Sequence, residues 1–325
     1  AIIIVGVLMG ASSGIVGATV VTVGLLALGP LVRRGYDKGL ACGTICASGT
    51  LGQIIPPSLV LILLADILGL SVGTLFAAAL LLGYFRPDMA PAIPEAERDA
   101  LGRRELLIKL VQVVLPPLVL IFAVLGSIVG GVAAPTEAAS MGALGSLILA
   151  LMGGRLTLRV LADVCKSTLL TSAMVFFILI CAQPFGLAFR GLGGEHLVGY
   201  MFDFIPGGVT ADLLFMMAVI FVLGFFLEWI EISYIALPLF LPVFVNSGVD
   251  MVWLSILVAM NLQTSFLTPP FGWALFFLKG VAPPEITTGD IYLGVIPFIL
   301  LQVVALGLLF TFPEIATWLP KAIGW

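Results

Sequence analysis

The sequence predicts an all-α polytopic membrane protein, and three observations carry that expectation. The chain of 325 residues is 61% hydrophobic and 10% charged, with a mean hydropathy of +1.24, whereas about 25% of the residues in a soluble domain are charged. Apolar runs of about 20 residues separate the charges, the length at which a helix rising about 1.5 Å per residue crosses roughly 30 Å of hydrocarbon, and they amount to about eight crossings or hairpins. Apolar and polar residues do not alternate at period 2, so the spanning elements are helices and not a barrel.

The placement of charge orders these elements. Lys and Arg gather in RRGYDK (33–38), from Arg86 to Lys109, in RLTLRVLADVCK (155–166) and at Lys279. The positive-inside rule puts these clusters on the cytoplasmic side and leaves Arg190 and Lys321 outside. Residues 40–85 then cross out and back, 106–152 do the same with a turn at GGVAAPTEAAS, and 167–278 go out, make a further excursion and return. The stretch RPDMAPAIPEAERDALGRRE (86–105) is a solvated cytoplasmic connector, with a short charged helix after Pro94. The net charge of −4 comes without a basic stripe, so nothing points to nucleic acid. Cys42, Cys46, Cys165 and Cys181 lack CxxC or Cys/His spacing and read as reduced, packed thiols. The opening AIIIVGVLMG has mid-membrane character without a basic n-region, which predicts further sequence upstream.

An internal match at one fixed offset organises the rest. Pro56-Pro57 and Pro269-Pro270 lie 213 residues apart, and the same offset aligns Gly35 with Gly248 and Asp37 with Asp250. It also brings GASSG (10–14) next to LGFFLE (223–228). The first turn, RRGYD, is basic and therefore cytoplasmic. The second, NSGVD, has no Lys or Arg and is expected outside. The two copies thus run through the membrane in opposite senses, the pattern of inverted repeats with interrupted helices that marks a secondary transporter with a midplane site. The expected organisation is a first repeat over 1–85 (hairpin tip 10–17, broken helix 40–70, following helix 71–85), a loop over 86–105 and connecting or scaffold helices over 106–189. An outside loop (190–211), a second repeat over 212–279 (tip 223–229, broken helix 253–279) and a C-terminal helix (280–325) complete it.

The breaks supply chemistry. Prolines at 56 and 57 remove backbone donors, so the helix entering through ICASGTLG stops around Gly52 and restarts after Ser58. TSFLTPPFG repeats this in the second copy. Non-helical backbone at membrane depth is tolerated only where it is buried or lines a cavity. Freed carbonyls, together with the hydroxyls of Ser12, Ser13, Thr50, Thr264, Ser265 and Thr268, are hard oxygen ligands for an alkali cation, while half-helix N-termini favour an anion. Gln53 and Gln263 flank the breaks, where they can bond a substrate carboxylate or satisfy freed carbonyls.

At these residues the sequence resembles the large membrane (permease) subunit of tripartite ATP-independent periplasmic (TRAP) transporters. The strings that carry the resemblance are GASSGIVGATVVTVG, RRGYDKGLACGTICASGTLGQIIPPS, GVAAPTEAASMGALGSL and NLQTSFLTPPFGWALFF, with the closing PFILLQVVALGLLFTFPEIATWLP. The resemblance implies an elevator-type fold like that of the ion-transporter superfamily. It further implies a bacterial inner-membrane location, a small four-helix membrane subunit and a periplasmic solute-binding protein as partners, and uptake of a carboxylate-bearing solute driven by sodium rather than ATP. Two sodium sites follow by motif: Ser13 with the backbone of Gly52, Ile55 and Pro57, and Gly224 with Ser265, Thr268 and Phe271. Substrate would lie between the tips, near Ser12, Gln53, Glu228, Gln263 and Thr264. The sequence departs from the family pattern where Ile15 and Val16 follow Gly14, and where Ser265 stands in place of a common glycine. No organic cofactor is implied.

The remaining polar residues divide between site and scaffold. Glu228 and Glu231, three apart on one helical face beside the second tip, are expensive at membrane depth, and Glu228 is expected to shape the cation or substrate site. Glu137, just after Pro135, is expected to cap a helix. Asp66 is expected to cap or to face water at the outer boundary. His196 has no partner pattern. An enzyme is not expected: Ser12 and Ser13 have no nearby histidine, and neither HExxH nor GxSxG is present. The competing reading is a stand-alone sodium/dicarboxylate symporter with no binding protein.

Overall fold

The computed structural model describes residues 5–6, 9–10, 15–54, 59–71 and 103–322. The elements are α1 (Val16–Arg33), α2 (Lys38–Thr50), α3 (Leu59–Leu68), α4 (Arg103–Val129), α5 (Pro135–Met152), α6 (Leu158–Gly191), α7 (Gly194–Asp203), α8 (Val209–Leu223), α9 (Trp229–Asn246), α10 (Met251–Leu267), α11 (Trp273–Val281), α12 (Thr288–Thr311) and α13 (Glu314–Ala322). Five of them, α1, α5, α6, α9 and α12, are long and apolar enough to cross a membrane. No strand occurs among the described residues. The chain forms two compact units, residues 85–172 and residues 1–84 with 173–325.

In the smaller unit α4 packs on α5. Pro135 opens α5, and the Glu137 carboxylate accepts the Ala134 N–H at 3.0 Å, so the expected helix cap is present. The connector helix expected after Pro94 lies outside the described residues.

The larger unit is built on α10. Every residue from Leu254 to Leu267 is buried, Ser255, Asn261, Gln263, Thr264 and Ser265 among them. Those buried polar residues need protein around them, and α2, α3, α8, α11, α12 and α13 pack against this helix. The helices of the two halves recur at the 213-residue offset. α1 and α9 begin and end 213 residues apart, α2 and α10 begin 213 apart, and α1 and α9 each contain a π-helical stretch, Gly24–Leu28 and Ile232–Ala236. The landmarks agree in conformation as well. Gly35 and Gly248 have φ of 79° and 71°, a left-handed geometry open to glycine at no steric cost. Asp37 accepts the Leu40 N–H at 2.8 Å, and Asp250 accepts those of Val252 and Trp253 at 2.9 and 3.1 Å, as N-cap residues do.

Helix α12 touches both copies. Near its start a Cβ on Gly43 of α2 would overlap the Gly294 carbonyl, and one on Gly39 would sit 3.4 Å from the Gly294 Cα, so α2 and α12 meet backbone to backbone. Near its end, the Leu309 carbonyl accepts the indole N–H of Trp253, in the first turn of α10, at 2.8 Å. The segment before α12 is held by two lysines: Lys38 donates to the Glu285 carbonyl and Lys279 to that of Ile286, each at 2.8 Å.

Three expectations need correction. Residues 190–211, expected as an outside loop, contain α7, because Val198 and Phe202, one turn apart, are buried and the Phe202 ring meets Phe215, Phe240 and Phe244 at 5.4 to 6.0 Å. The region 280–325, expected as one C-terminal helix, contains α12 and α13, since Pro313 cannot continue α12. Cys42 and Cys46 are buried, whereas Cys165 and Cys181 on α6 are exposed: no residue of that helix is buried.

Candidate functional site

The second break forms where α10 meets Pro269-Pro270. Two successive prolines cannot donate to the carbonyls of Ser265 and Phe266, as helix continuation requires. Ser265 takes the Thr268 N–H instead, at 3.1 Å, and Thr268 leaves the helix with φ −88° and ψ 125°. The peptide between the prolines is cis. The chain then folds back so that the Gly272 N–H bonds the Thr268 carbonyl at 3.0 Å, and a Cβ on Gly272 would fall 2.6 Å from the Phe266 oxygen and 3.0 Å from that of Thr268. Only glycine lets two carbonyls approach the backbone so closely. From α12, Tyr292 donates its hydroxyl to the Pro270 carbonyl at 2.9 Å.

The hydroxyls around this break are arranged as acceptors. Thr264 donates to Met260 O at 2.8 Å and Thr268 donates to Thr264 O at 2.7 Å. Having spent its proton on the helix backbone, each Thr oxygen presents lone pairs alone to anything beyond. Ser265 Oγ and Gln263 Oε1 are fully buried without a hydrogen-bond partner. A buried polar atom of this kind calls for a partner, whether water, an ion or a ligand.

The second tip reaches the same place. α8 ends at Leu223, the chain turns over 224–228, and α9 begins at Trp229. A Cβ on Gly224 would overlap Ser265 Oγ, so the tip glycine lies directly on the break serine. The Phe226 and Phe271 rings, centroids 5.4 Å apart, close the same junction. Asn261 anchors the hairpin arm by donating to Met217 O on α8 at 2.7 Å. Glu228 is half-buried, as the residue that opens α9, and its N–H bonds the Glu231 carboxylate at 3.1 Å. Glu231 is therefore accounted for as a cap. Nothing beyond position beside the tip ties Glu228 to Gln263 or Thr264.

The first break is seen in part. α2 ends in a 3-10 turn, Leu51–Gln53, which packs against α10. Gly52 meets Gly10, the first residue of the expected first tip, where a Cβ on Gly52 would lie 2.5 Å from the Gly10 Cα. Gln53 is buried in that turn. Ser12, Ser13, Ile55 and Pro57 lie outside the described residues. Among the described residues no group of three His, Cys, Asp or Glu could hold a metal ion, so any cation here meets hydroxyl, amide and carbonyl oxygens, which suit hard cations.

The structure thus brings Gly224, Ser265, Thr268 and Phe271 together, with Gln263 and Thr264 on the same helix end. Asn261, Tyr292 and Gly272 were missed. Asn261 and Gly272 stand inside the strings NLQTS and PPFG, where a polar residue two before a glutamine and a glycine after paired prolines are legible signals. Tyr292 acts across 22 residues and leaves no local trace.

Residues 1–315 match the family described as the tripartite ATP-independent periplasmic transporter, DctM component. Among its relatives is the C4-dicarboxylate TRAP transporter large permease protein DctM of Pseudomonas aeruginosa, 31% identical over 98% of this chain and 76% of that protein. The ectoine TRAP transporter large permease protein TeaC of Halomonas elongata is 29% identical over 96% of this chain and 74% of its own length. The sialic acid TRAP transporter permease protein SiaT of Haemophilus influenzae is 26% identical over 92% of this chain and 50% of its own.

Proposed function

Because the chain belongs to the DctM component family of tripartite ATP-independent periplasmic transporters, a family of multi-pass inner-membrane transporters and not enzymes, we propose that it takes up a small organic acid by sodium symport. Sodium binds among the oxygens of the second break and, by the repeat, of the first. Substrate lies between the two tips. The observation that carries this reading is the junction of Gly224 with Ser265, whose buried hydroxyl lacks a partner. Relatives named for C4-dicarboxylates, ectoine and sialic acid all carry solutes with a carboxylate. No Lys or Arg lies at either break, so a carboxylate here is held by helix N-termini, amides, hydroxyls and the sodium ions themselves.

An elevator built on inverted repeats accounts for the architecture. Helix α12 supports the opposite senses: the start of α2 lies at one end of it and the start of α10 at the other. α8, with 15 residues, is about 22 Å long, short of the roughly 30 Å needed to cross, as a re-entrant hairpin arm is. The chain works in this reading with a small membrane subunit and a periplasmic binding protein. Family membership disfavours the stand-alone symporter.

Proteoliposomes holding the full-length subunit with its small partner test this directly. Uptake should require both an inward sodium gradient and the cognate binding protein. Full-rate uptake in potassium would remove the sodium reading, and sodium-driven uptake without the binding protein would return the chain to the stand-alone class.

A further inference from the structure

A cavity of about 340 Å³ lies away from the breaks, within the larger unit, between α3, the second half of α6 and α9. Asp66, Gln183, Arg190 and Tyr234 line it, and the rest of the wall is mainly apolar, including Phe185 and Pro238. Its two charges are opposite and unpaired: among the described residues the Asp66 carboxylate has neither ion pair nor hydrogen bond, and the Arg190 guanidinium bonds only the Gly186 carbonyl of its own helix, at 3.3 Å through Nε. Four guanidinium N–H groups therefore remain to meet an anion, while Asp66 awaits a cation.

Depth decides between a bilayer and an aqueous ligand. Helix α6 has 34 residues and is about 51 Å long, so it projects beyond a hydrocarbon layer of roughly 30 Å. Lys166 and Arg190 are 24 residues apart, about 36 Å along the axis. With the basic end of α6 inside, Arg190 stands at the level of the outer headgroups and Gln183 about 10 Å deeper, where acyl chains begin. The helix surface is apolar there, with Phe176, Phe177, Ile180 and Leu187 all exposed. A cavity charged at its rim and apolar in its body, opening beside an exposed apolar helix face, matches a phospholipid end on.

We propose that this cavity holds the headgroup of a zwitterionic phospholipid, its phosphate on Arg190 and Tyr234 and its ammonium on Asp66. The site is independent of sodium and of the transported acid. It selects against phosphatidylglycerol, whose headgroup offers Asp66 no cation.

The test uses the full-length subunit with its small partner, exposed to equal phosphatidylethanolamine and phosphatidylglycerol of matched chains, delipidated mildly and read by mass spectrometry of retained lipid. Phosphatidylethanolamine should be retained in preference; D66N should lower that preference roughly tenfold, and R190Q should lower retention of both lipids by a similar factor. Both side chains are exposed, and melting temperatures confirm that the variants fold. A182W, which fills the cavity without touching charge, should also abolish retention. Equal retention of the two lipids, or a preference indifferent to all three substitutions, would overturn the proposal. Binding of free phosphoethanolamine more tightly than the phospholipid would overturn the lipid assignment and leave a water-soluble zwitterion in its place.

Discussion

Helices α10 and α6 have similar apolar character and opposite surroundings. From Leu254 to Leu267 every residue of α10 is buried, whereas α6 buries none of its 34 residues. The difference shows in polar content rather than hydropathy. α10 carries Asn261, Gln263, Thr264 and Ser265 within five residues near its end, tolerable only where protein supplies partners or an ion does. α6 keeps its charges near its two ends, at Arg159, Asp163, Lys166 and Arg190. Enclosure lets a membrane helix become a site, and exposure keeps it a wall.

This contrast can be broken in several places. The largest effect is expected inside the enclosed body, at Gly43, where a side chain must displace the Gly294 backbone. Gly43→Val should destabilise the protein by about 3 kcal/mol or more, read as lost monodisperse yield and a lower melting temperature. Next comes Gly224→Ala, which sets a methyl on Ser265 Oγ. Uptake should fall roughly tenfold or more with folding retained, and the double variant Gly224→Ala/Ser265→Gly should recover part of it. An unrecovered double variant would mean that the tip senses something other than that contact. Asn261→Leu removes the bond to Met217 O and should lower stability by about 1 kcal/mol in chemical unfolding. The smallest change belongs to α6: Phe176→Ala, at a residue 65% exposed, should stay within about 0.5 kcal/mol in the purified chain. A loss comparable to that at Asn261 would show that this face is covered by protein.

Much of the larger unit was legible in the sequence, for a physical reason. Prolines, positive-φ glycines and aspartate caps act on their own backbone, so Pro269-Pro270, Gly35, Gly248, Asp37 and Asp250 announced the breaks and turns at their true positions. The placing of Gly224 beside Ser265 was suggested by the family motif alone. Long-range packing was not legible. Hydropathy treats lipid and protein interior alike, so it could not separate α10 from α6, nor buried Cys42 and Cys46 from exposed Cys165 and Cys181. α7 was hidden because its inward face is just Val198 and Phe202, too short a stripe to stand out between Gly193 and Gly208. The π-helical stretches in α1 and α9 arise from packing and leave no residue signature.

Helix α12 lies outside both repeats and yet grips one member of each, about 22 Å apart along its axis between Gly294 and Leu309. Mechanically it is a tie rod. Glycine contact at one end leaves no compliant side chain between the backbones, and the indole hydrogen bond at the other fixes height as well as proximity. In the elevator proposed above, the two broken helices then share one displacement along that rod, so that the oxygens at both breaks travel together rather than parting.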